Sequence, residues 1–365
     1  MLHTLASRMA LPGLALLGLA LLVAQPAYAQ VDRSAVERVV AEAVANNAFE
    51  GTVLVADQGE VVYHEAFGFT DVDQQRPVNA DAPFGIASIT KMFTAIAVLQ
   101  QVEEGAYALS DNVASLLPGS DIPNADVITV HHLLLNISGL PSESDRLYQA
   151  ARSAEAMVQE TVKKRGKRLG AFHYANVNYV LLGLLIEQAD QMPWREAIQA
   201  RILDRVGMTE TGFLAKDAYP DAFAHTFSYT RRDKRRADPA FHIENFHAAG
   251  AMYATAADLL KLDQAMYGDL LLSETSKTLM YTSYPEYNYS GYSVWTYAYP
   301  FAPSKPNIME RRGSILGANS VLIRMLDRNQ TIVILSNNNR FNPDSFGETT
   351  SLREALIIAV AQADG

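Results

Sequence analysis

The distribution of apolar and polar positions predicts β-hairpins at both ends of the chain. Near the N-terminus, the β-rich segments Thr52–Ala56 and Val61–Phe67 flank the turn residues Asp57–Gly59, a spacing typical of a hairpin. Near the C-terminus, Ser320–Met325 and Thr331–Leu335 flank a second polar turn in the same way. Strands are therefore expected from both ends of the chain.

The segments beside and between these hairpins predict helices. Ser34 and Ser351 are each followed three residues later by glutamate, the capping-box spacing that marks a helix start. Ile89–Val102 and Val180–Ile186 are apolar on most faces, which is typical of buried helices. The whole pattern favours an α+β fold, in which an antiparallel β-sheet is flanked by N- and C-terminal helices and interrupted by an inserted, mainly helical domain.

The first 29 residues have the layout of a secretory signal peptide. Arg8 precedes an apolar stretch, Met9–Val23, and the small-residue site Ala27–Ala29 follows. A membrane anchor is the alternative, but the apolar stretch is short for a span and contains Pro12. We therefore expect cleavage after Ala29 and a periplasmic or secreted protein that keeps no membrane segment.

The remaining residues, 30–365, are expected to form one unit with two subdomains. The sheet subdomain takes about residues 30–80 and 285–365, and the helical subdomain takes about residues 81–284. No internal repeat or low-complexity linker separates them.

Composition narrows the functional classes. The 365 residues are 49% apolar and 19% charged, which is enough apolar surface to bury a large core. There is no cysteine, so a disulfide scaffold, thiol catalysis and cysteine-ligated zinc are excluded. The formal net charge of −10 argues against a nucleic-acid partner. Two basic runs, 163–168 and 231–236, are interpreted as solvated loop charge, with an anionic partner as the alternative.

Several hydrolase and cofactor motifs are absent from the sequence. It contains no G-x-S-x-G elbow, no P-loop and no G-x-G-x-x-G loop. His64 and Glu65 lack the second histidine of a zinc peptidase. His131 and His132 would point in different directions on a helix, which favours packing or surface roles over metal ligation. We therefore expect no metal and no organic cofactor.

One remaining motif carries chemistry, the S-x-x-K pair of Ser88 and Lys91 at the predicted start of the buried helix. A spacing of three places hydroxyl and ammonium on one helical face, where the helix N-terminus favours negative charge. A lysine in a partly desolvated pocket can act as a base or stabilise an ionised neighbour. The alternative is a capping serine and a surface lysine, although the flanking residues Phe84, Ile86 and Met92 are apolar.

A second polar pair, Tyr174 and Asn176, precedes the second apolar helix. Residues two apart in an extended segment point to the same side. A phenolate beside a lysine ammonium can take the serine proton, and a carboxamide can hold a substrate amide.

These motifs and their neighbours carry a resemblance to a known family. The matching segments are Phe84–Thr94, His132–Pro141, Phe172–Tyr179, Gly207–Thr209, Ala249–Gly250 and Ala256–Leu259. Together they resemble the serine β-lactamase and D-alanyl-D-alanine peptidase superfamily, in its class C or β-lactamase-related branch. The resemblance covers nearly all of residues 30–365, and it implies a flanked antiparallel sheet and a helical domain with the active site between them.

The resemblance also implies a role for each motif residue. Ser88 would be the acylated nucleophile, and Lys91 and Tyr174 would share the work of the general base. Asn176 would bind the substrate. The backbone N–H groups of Ser88 and Ser314 would stabilise the oxyanion.

The third family motif is a lysine or histidine, then a small residue, then glycine. The matching stretch here is Arg311, Arg312, Gly313 and Ser314, which would line the substrate site. Arg311 keeps a positive charge that could lower the pKa of Tyr174 or hold a substrate carboxylate. It cannot give up a proton, however, and Arg312 is much larger than the family residue.

The resemblance therefore implies a serine hydrolase that forms an acyl-enzyme on Ser88, and the signal-peptide layout implies that it is exported. Its partner would be a small-molecule or peptide substrate with an ester or amide bond, such as a β-lactam, a D-amino-acid peptide or amide, or a carboxylic ester. Arg311 and Arg312 suggest an alternative, a catalytically weakened penicillin-binding-type protein for binding or sensing. A third hypothesis is an anionic cell-wall binder that uses the basic runs.

Overall fold

The computed structural model describes residues 30–362, so the predicted signal peptide lies outside the described residues. Within that range, no helix has the length and hydropathy needed to cross a membrane. The strands are β1 (Gly51–Asp57), β2 (Glu60–Phe67), β3 (Phe84–Gly85), β4 (Gly212–Phe213), β5 (Phe227–Tyr229), β6 (Arg235–Ala237), β7 (Met252–Ala254), β8 (Trp295–Ala298), β9 (Asn307–Ile315), β10 (Ala318–Met325) and β11 (Gln330–Ser336). The helices are α1 (Arg33–Ala45), α2 (Thr90–Glu103), α3 (Val113–Leu116), α4 (Val130–Leu134), α5 (Ala154–Val162), α6 (Asn176–Asp190), α7 (Trp194–Ile198), α8 (Asp204–Val206), α9 (Ala256–Ala265), α10 (Glu274–Tyr281) and α11 (Leu352–Ala361).

Six strands form one antiparallel sheet in the order β2-β1-β11-β10-β9-β8. Both predicted hairpins are confirmed, since β1 pairs with β2 and β10 pairs with β11. The N-terminal strand β1 also pairs with β11, with Thr52 opposite Leu335. Two small sheets, β3-β7-β4 and β5-β6, lie in the inserted segment. The predicted α+β fold is therefore confirmed, with one sheet built from both ends of the chain.

The two faces of the sheet pack against different helices, because successive side chains of a strand point to opposite faces. Val53 and Val55 of β1 pack with apolar residues of α1 and α11. Leu54, between them, belongs to the larger core that the sheet shares with the inserted helices. This second face is the one against which α2 lies. The limits given above for the two subdomains stay a prediction.

The central helix α2 is buried along its length, as predicted. Every residue from Thr90 to Gln101 is buried. Helix α6 is similar, since Val177–Gly183 is buried without interruption. Both helices are therefore enclosed by packing over these stretches, and only their last turns contain exposed residues.

The two terminal helices begin in different ways. The N-terminal helix begins at Arg33, and its cap is Asp32, which accepts from the Ser34 backbone N–H at 2.9 Å. The predicted start at Ser34 is wrong, because a carboxylate two residues upstream is a good acceptor for the positive end of the helix. Helix α11 does follow Ser351, but Ser351 makes no capping bond and Glu354 is buried.

Candidate active site

Ser88 lies in the short turn that leads into α2. The 3₁₀ turn Ala87–Ile89 ends one residue before Thr90, the first residue of α2, so the predicted position of Ser88 is confirmed. The preceding Ala87 has φ 46°, in the left-handed region that residues with a side chain rarely adopt. Backbone strain of this kind is concentrated at functional sites.

Lys91, one helical turn after Ser88, is completely buried. Its Nζ donates to Ser88 Oγ at 2.9 Å, to Asn176 Oδ1 at 2.8 Å and to the Ala249 carbonyl at 2.6 Å. These three acceptors match the three hydrogens of an ammonium group. The alternative of a surface lysine is therefore wrong.

Tyr174 completes the contacts of the serine hydroxyl. Its Oη lies 2.9 Å from Ser88 Oγ, and the same phenolic oxygen accepts from Arg311 Nη2 at 2.7 Å. The Lys91 ammonium is 5.1 Å from the centre of the Tyr174 ring. The structure thus brings together the two motifs that the sequence keeps far apart.

The pKa values of Tyr174 and Lys91 are both shifted towards neutrality, for different reasons. Burial alone would raise the pKa of Tyr174, but the positive charges of Arg311 and Lys91 outweigh burial and lower it to about 7. Burial is the largest influence on Lys91 and lowers its pKa to about 8, against the attraction of Tyr174. The phenol and the ammonium form a coupled pair that can exchange protons with Ser88 near neutral pH.

Arg311 on β9 is almost fully buried and is directed into this cluster. Its Nε donates to the Ser88 carbonyl at 2.7 Å, in addition to the bond from Nη2 to Tyr174. Its guanidinium carbon lies 5.1 Å from the centre of the Trp295 ring and 5.6 Å from that of Tyr174. Of the two uses open to this arginine, the geometry favours acting on Tyr174 over holding a substrate carboxylate.

The side chain of Arg312 contacts other residues and is directed away from Ser88. Its Nη1 pairs with Asp344 at 2.6 Å and its Nη2 with Glu310 at 3.2 Å. Its guanidinium carbon also lies 4.5 Å from the centre of the Trp295 ring. Both arginines therefore contact Trp295, but their hydrogen bonds go to different groups: those of Arg311 to Tyr174 and the Ser88 carbonyl, and those of Arg312 to carboxylates.

Gly313 lets β9 approach the Ser88 turn closely. A Cβ atom at Gly313 would lie 2.4 Å from the Ile86 carbonyl oxygen and 3.1 Å from the Ser88 nitrogen. Any side chain here would therefore push the strand away from the turn. The next residue, Ser314, donates its hydroxyl to Asn319 Oδ1 at 2.8 Å.

Glu143 extends the cluster on the side of Asn176. Its Oε1 accepts from Asn176 Nδ2 and from the Tyr148 hydroxyl, the latter at 3.0 Å. With Nδ2 bound to Glu143, the Asn176 carboxamide turns its oxygen to Lys91. Glu143 Oε2 is buried and has no hydrogen-bond partner among the described residues. A polar group that reached this oxygen would therefore find a free hydrogen-bond acceptor.

A cavity of about 290 Å³ opens beside the Ser88 turn. Gly85 and Ala87 form one wall, and Ile315, the residue after Ser314, forms another. The other large apolar or aromatic residues of the lining are Leu214, Tyr219, Phe223, His225, Phe241 and Ile243. Asp71, Lys216, Asp217 and Asp238 also line the cavity. Its volume and apolar wall suit a small apolar or aromatic group next to the turn that carries Ser88.

Among residues 30–362, no group of three or more His, Asp or Glu side chains is placed to hold a metal ion. His131 Nδ1 lies 2.6 Å from the Tyr292 hydroxyl, and His132 Nδ1 accepts from the backbone N–H of Thr129. Both histidines therefore have local packing and capping contacts, as the sequence suggested.

The basic runs are mostly exposed, with one exception. Arg235 Nη2 pairs with Glu50 at 3.0 Å, and its Nε donates to the Tyr229 hydroxyl at 2.6 Å. The prediction of solvated charge is wrong for this residue, because β6 lies beside the buried Glu50 carboxylate.

Comparison with known proteins identifies the family. The Beta-lactamase family profile matches residues 36–357, which is most of the chain. The chain belongs to the Beta-lactamase family. As a member of this family the protein is a serine hydrolase.

Individual Beta-lactamase family relatives are distant in sequence. Penicillin-binding protein 4* of Bacillus subtilis is 27% identical over 312 residues, which cover 79% of this chain and 68% of that protein. The penicillin binding protein from Bacillus halodurans superposes with a TM-score of 0.73 at 24% identity, over 88% of this chain and 97% of that one. D-amino acid amidase from Ochrobactrum anthropi SV3, complexed with D-phenylalanine, superposes with a TM-score of 0.77 at 20% identity. The match covers 90% of this chain and 98% of that one. These two structural similarities show that the chain shares the fold of both proteins.

Three residues that contact the candidate site were given no role from the sequence, although Ala249 lies in one of the segments that resemble the family. Ala249 contributes only its carbonyl, so its side chain gives no signal. Glu143 reaches the site through Asn176, and Trp295 through Arg311. Each contact joins parts of the chain that are far apart in sequence, and a single sequence holds no local pattern for it.

Proposed function

We propose that the protein hydrolyses an ester or amide bond by acylation of Ser88. One observation carries this proposal: Tyr174 Oη and Lys91 Nζ both lie 2.9 Å from Ser88 Oγ. A hydroxyl held by a phenol and an ammonium with pKa values near neutrality is equipped to lose its proton.

In this mechanism, Ser88 Oγ attacks the substrate carbonyl carbon while its proton passes to the Tyr174 phenolate. The Lys91 ammonium holds Ser88 Oγ in place and offsets the negative charge on the serine and tyrosine oxygens. The backbone N–H groups of Ser88 and Ser314 donate to the carbonyl oxygen as it becomes an oxyanion. Tyr174 then protonates the leaving alcohol or amine, and the acyl group stays on Ser88. Water removes the acyl group by the same steps in reverse.

Asn176 is assigned three contacts in this scheme. Its Oδ1 holds Lys91, and one Nδ2 hydrogen goes to Glu143. The second Nδ2 hydrogen would donate to an amide carbonyl of the substrate. Glu143 thereby fixes which way the carboxamide points.

The substrate class follows from what surrounds Ser88. Arg311 already donates to the Ser88 carbonyl and to Tyr174, which favours substrates without a carboxylate at this position. The adjacent cavity would take the acyl side of the substrate as an apolar or aromatic group. Amides of D-amino acids and simple carboxylic esters therefore fit best, and β-lactams, which carry a carboxylate, are the third candidate class. We also propose export through residues 1–29, supported by Arg8 and the apolar stretch that follows it.

The pH dependence of hydrolysis should be bell-shaped. Activity is expected to rise through a pH of about 7, as Tyr174 becomes the phenolate, and to fall through about 8, as Lys91 loses its proton. The measurement is kcat/KM for p-nitrophenyl acetate across the pH range, corrected for spontaneous hydrolysis. A profile that stays flat between about pH 5 and pH 10 would contradict the assigned groups.

The direct test of the proposal is covalent labelling combined with burst kinetics. A fluorescent penicillin or fluorophosphonate should label the wild-type protein, and peptide mass spectrometry should find the adduct on Ser88. A chromogenic panel of nitrocefin, D-amino-acid amides, D-alanyl-D-alanine peptides and p-nitrophenyl esters should then show turnover with at least one class. Labelling without turnover would instead support the sensing protein that Arg311 suggested. Absence of any labelling would refute acylation.

A further inference from the structure

His247 has an unusual backbone conformation close to the active site. Its φ of 45° and ψ of −133° interrupt the 3₁₀ segment Ile243–Ala249. A residue with a side chain rarely adopts a positive φ unless its surroundings hold it there. We therefore expect contacts from outside the segment Ile243–Ala249 to hold His247 in this conformation.

The two residues after His247 present their carbonyls to α2. The Ala248 carbonyl accepts from Thr94 Oγ1 at 2.7 Å, and the Ala249 carbonyl accepts from Lys91 Nζ at 2.6 Å. The His247 carbonyl itself accepts from the backbone N–H groups of Gly250 and Ala251. The direction of the Ala249 carbonyl is thus set by the turn at His247.

The imidazole of His247 is clamped against α6 and α7. Its Nε2 lies 3.3 Å from Glu187 Oε1, and its ring centre lies 5.1 Å from that of Trp194 with the rings edge to face. A Cβ atom at Gly183 would lie 2.7 Å from the ring and from the Ala248 Cβ. Glycine at position 183 therefore lets the histidine turn sit directly on α6.

Helix α6 consequently controls two of the three acceptors of Lys91. Its first residue, Asn176, supplies one acceptor directly. Gly183 and Glu187, farther along the same helix, seat the turn that supplies the Ala249 carbonyl. Of the three acceptors of Lys91, only Ser88 lies on the same segment of the chain as the lysine.

We propose that His247 is a positioning residue, which, clamped between Gly183, Glu187 and Trp194, sets the Ala249 carbonyl and so holds the Lys91 ammonium against Ser88. The inference rests on the proposed function, because the position of Lys91 affects catalysis only if Ser88 is the nucleophile. It adds a remote determinant that none of the sequence motifs contains.

Gly183→Ala tests the clamp without touching a catalytic side chain. The added methyl group should displace the histidine turn, so kcat is expected to fall about tenfold while KM changes less than about twofold, since small misplacements of a catalytic group are costly. Loss of the Ala249 acceptor should also lower the pKa of Lys91, which moves the alkaline limb of the pH profile to lower pH. Gly268→Ala is the matched control, because no atom lies within 4 Å of its added Cβ.

His247→Gly supplies a second variant that should fold, since glycine accepts the positive φ without strain. It removes the ring and should shift the alkaline limb in the same direction. A normal circular dichroism spectrum, together with a wild-type kcat and pH profile in both variants, would overturn the positioning role. Failure of the wild-type protein to label at Ser88 would instead reject the proposed function, so the two failures are distinguishable.

Discussion

Ser88→Ala is expected to abolish covalent labelling and to lower kcat for a p-nitrophenyl ester by at least about 10³-fold, the usual size of the loss when a nucleophile is removed. The variant should fold normally, because alanine fits the space of serine. Removing the hydroxyl leaves Lys91 and Tyr174 without the atom that they share at 2.9 Å. The measurements are labelling gels and initial rates of the wild-type protein and the variant at one protein concentration.

Ser34→Ala serves as the control for this variant. Ser34 is exposed on α1, and that helix packs on the sheet face opposite the inserted helices. Its labelling and rate should match those of the wild type. Persistent labelling of the Ser88 variant at a different residue would reject the assignment of the nucleophile.

The second large effect is expected at Arg311. Arg311→Ala removes the strongest of the charges that lower the pKa of Tyr174, so that this pKa should rise towards the ordinary value for tyrosine. The acid limb of the pH profile should move up by at least about one unit, and the rate at pH 7 should fall by about 10- to 100-fold. Part of the activity should return at higher pH, where the Tyr174 phenolate forms without the charge of Arg311.

Two comparisons make the Arg311 result specific. Arg311→Lys keeps the charge, so its acid limb should move less than that of the alanine variant. Arg312→Ala is the matched control on the same strand, because Arg312 pairs with Asp344 and Glu310, and its acid limb should stay in place. An Arg311→Ala variant whose rate falls equally at every pH would show that Arg311 acts by shaping the turn, through its bond to the Ser88 carbonyl.

The parts of the site that the sequence predicts are those with a local pattern. Ser88 and Lys91 lie one helical turn apart, and Tyr174 and Asn176 lie two residues apart, so each pair is visible as a spacing. The sheet is visible for the same reason, since alternation and turn residues mark both hairpins. The resemblance then placed Arg311 at the site, and the structure brings it to 2.7 Å from Tyr174.

The other parts depend on long-range packing. Whether Arg311 points to Tyr174 or to a substrate depends on Trp295 and the Ser88 carbonyl, which meet it only in the folded chain. The carbonyl of Ala249 is chemically identical to every other carbonyl, and its importance comes from where His247 directs it. The wrong start of α1 has a simpler cause, since two acceptors compete for the same helix end.

Both tryptophans of the chain lie next to residues to which we assign a part in the chemistry at Ser88. Trp295, in the sheet, has its ring centre 5.1 Å from the Arg311 guanidinium, and Trp194, in the helical part, has its ring centre 5.1 Å from that of His247. Trp194 is buried and Trp295 is partly exposed, so their emission spectra should differ. The protein therefore carries two tryptophan fluorophores, and single-tryptophan forms would report acylation optically from each side of the sheet–helix boundary.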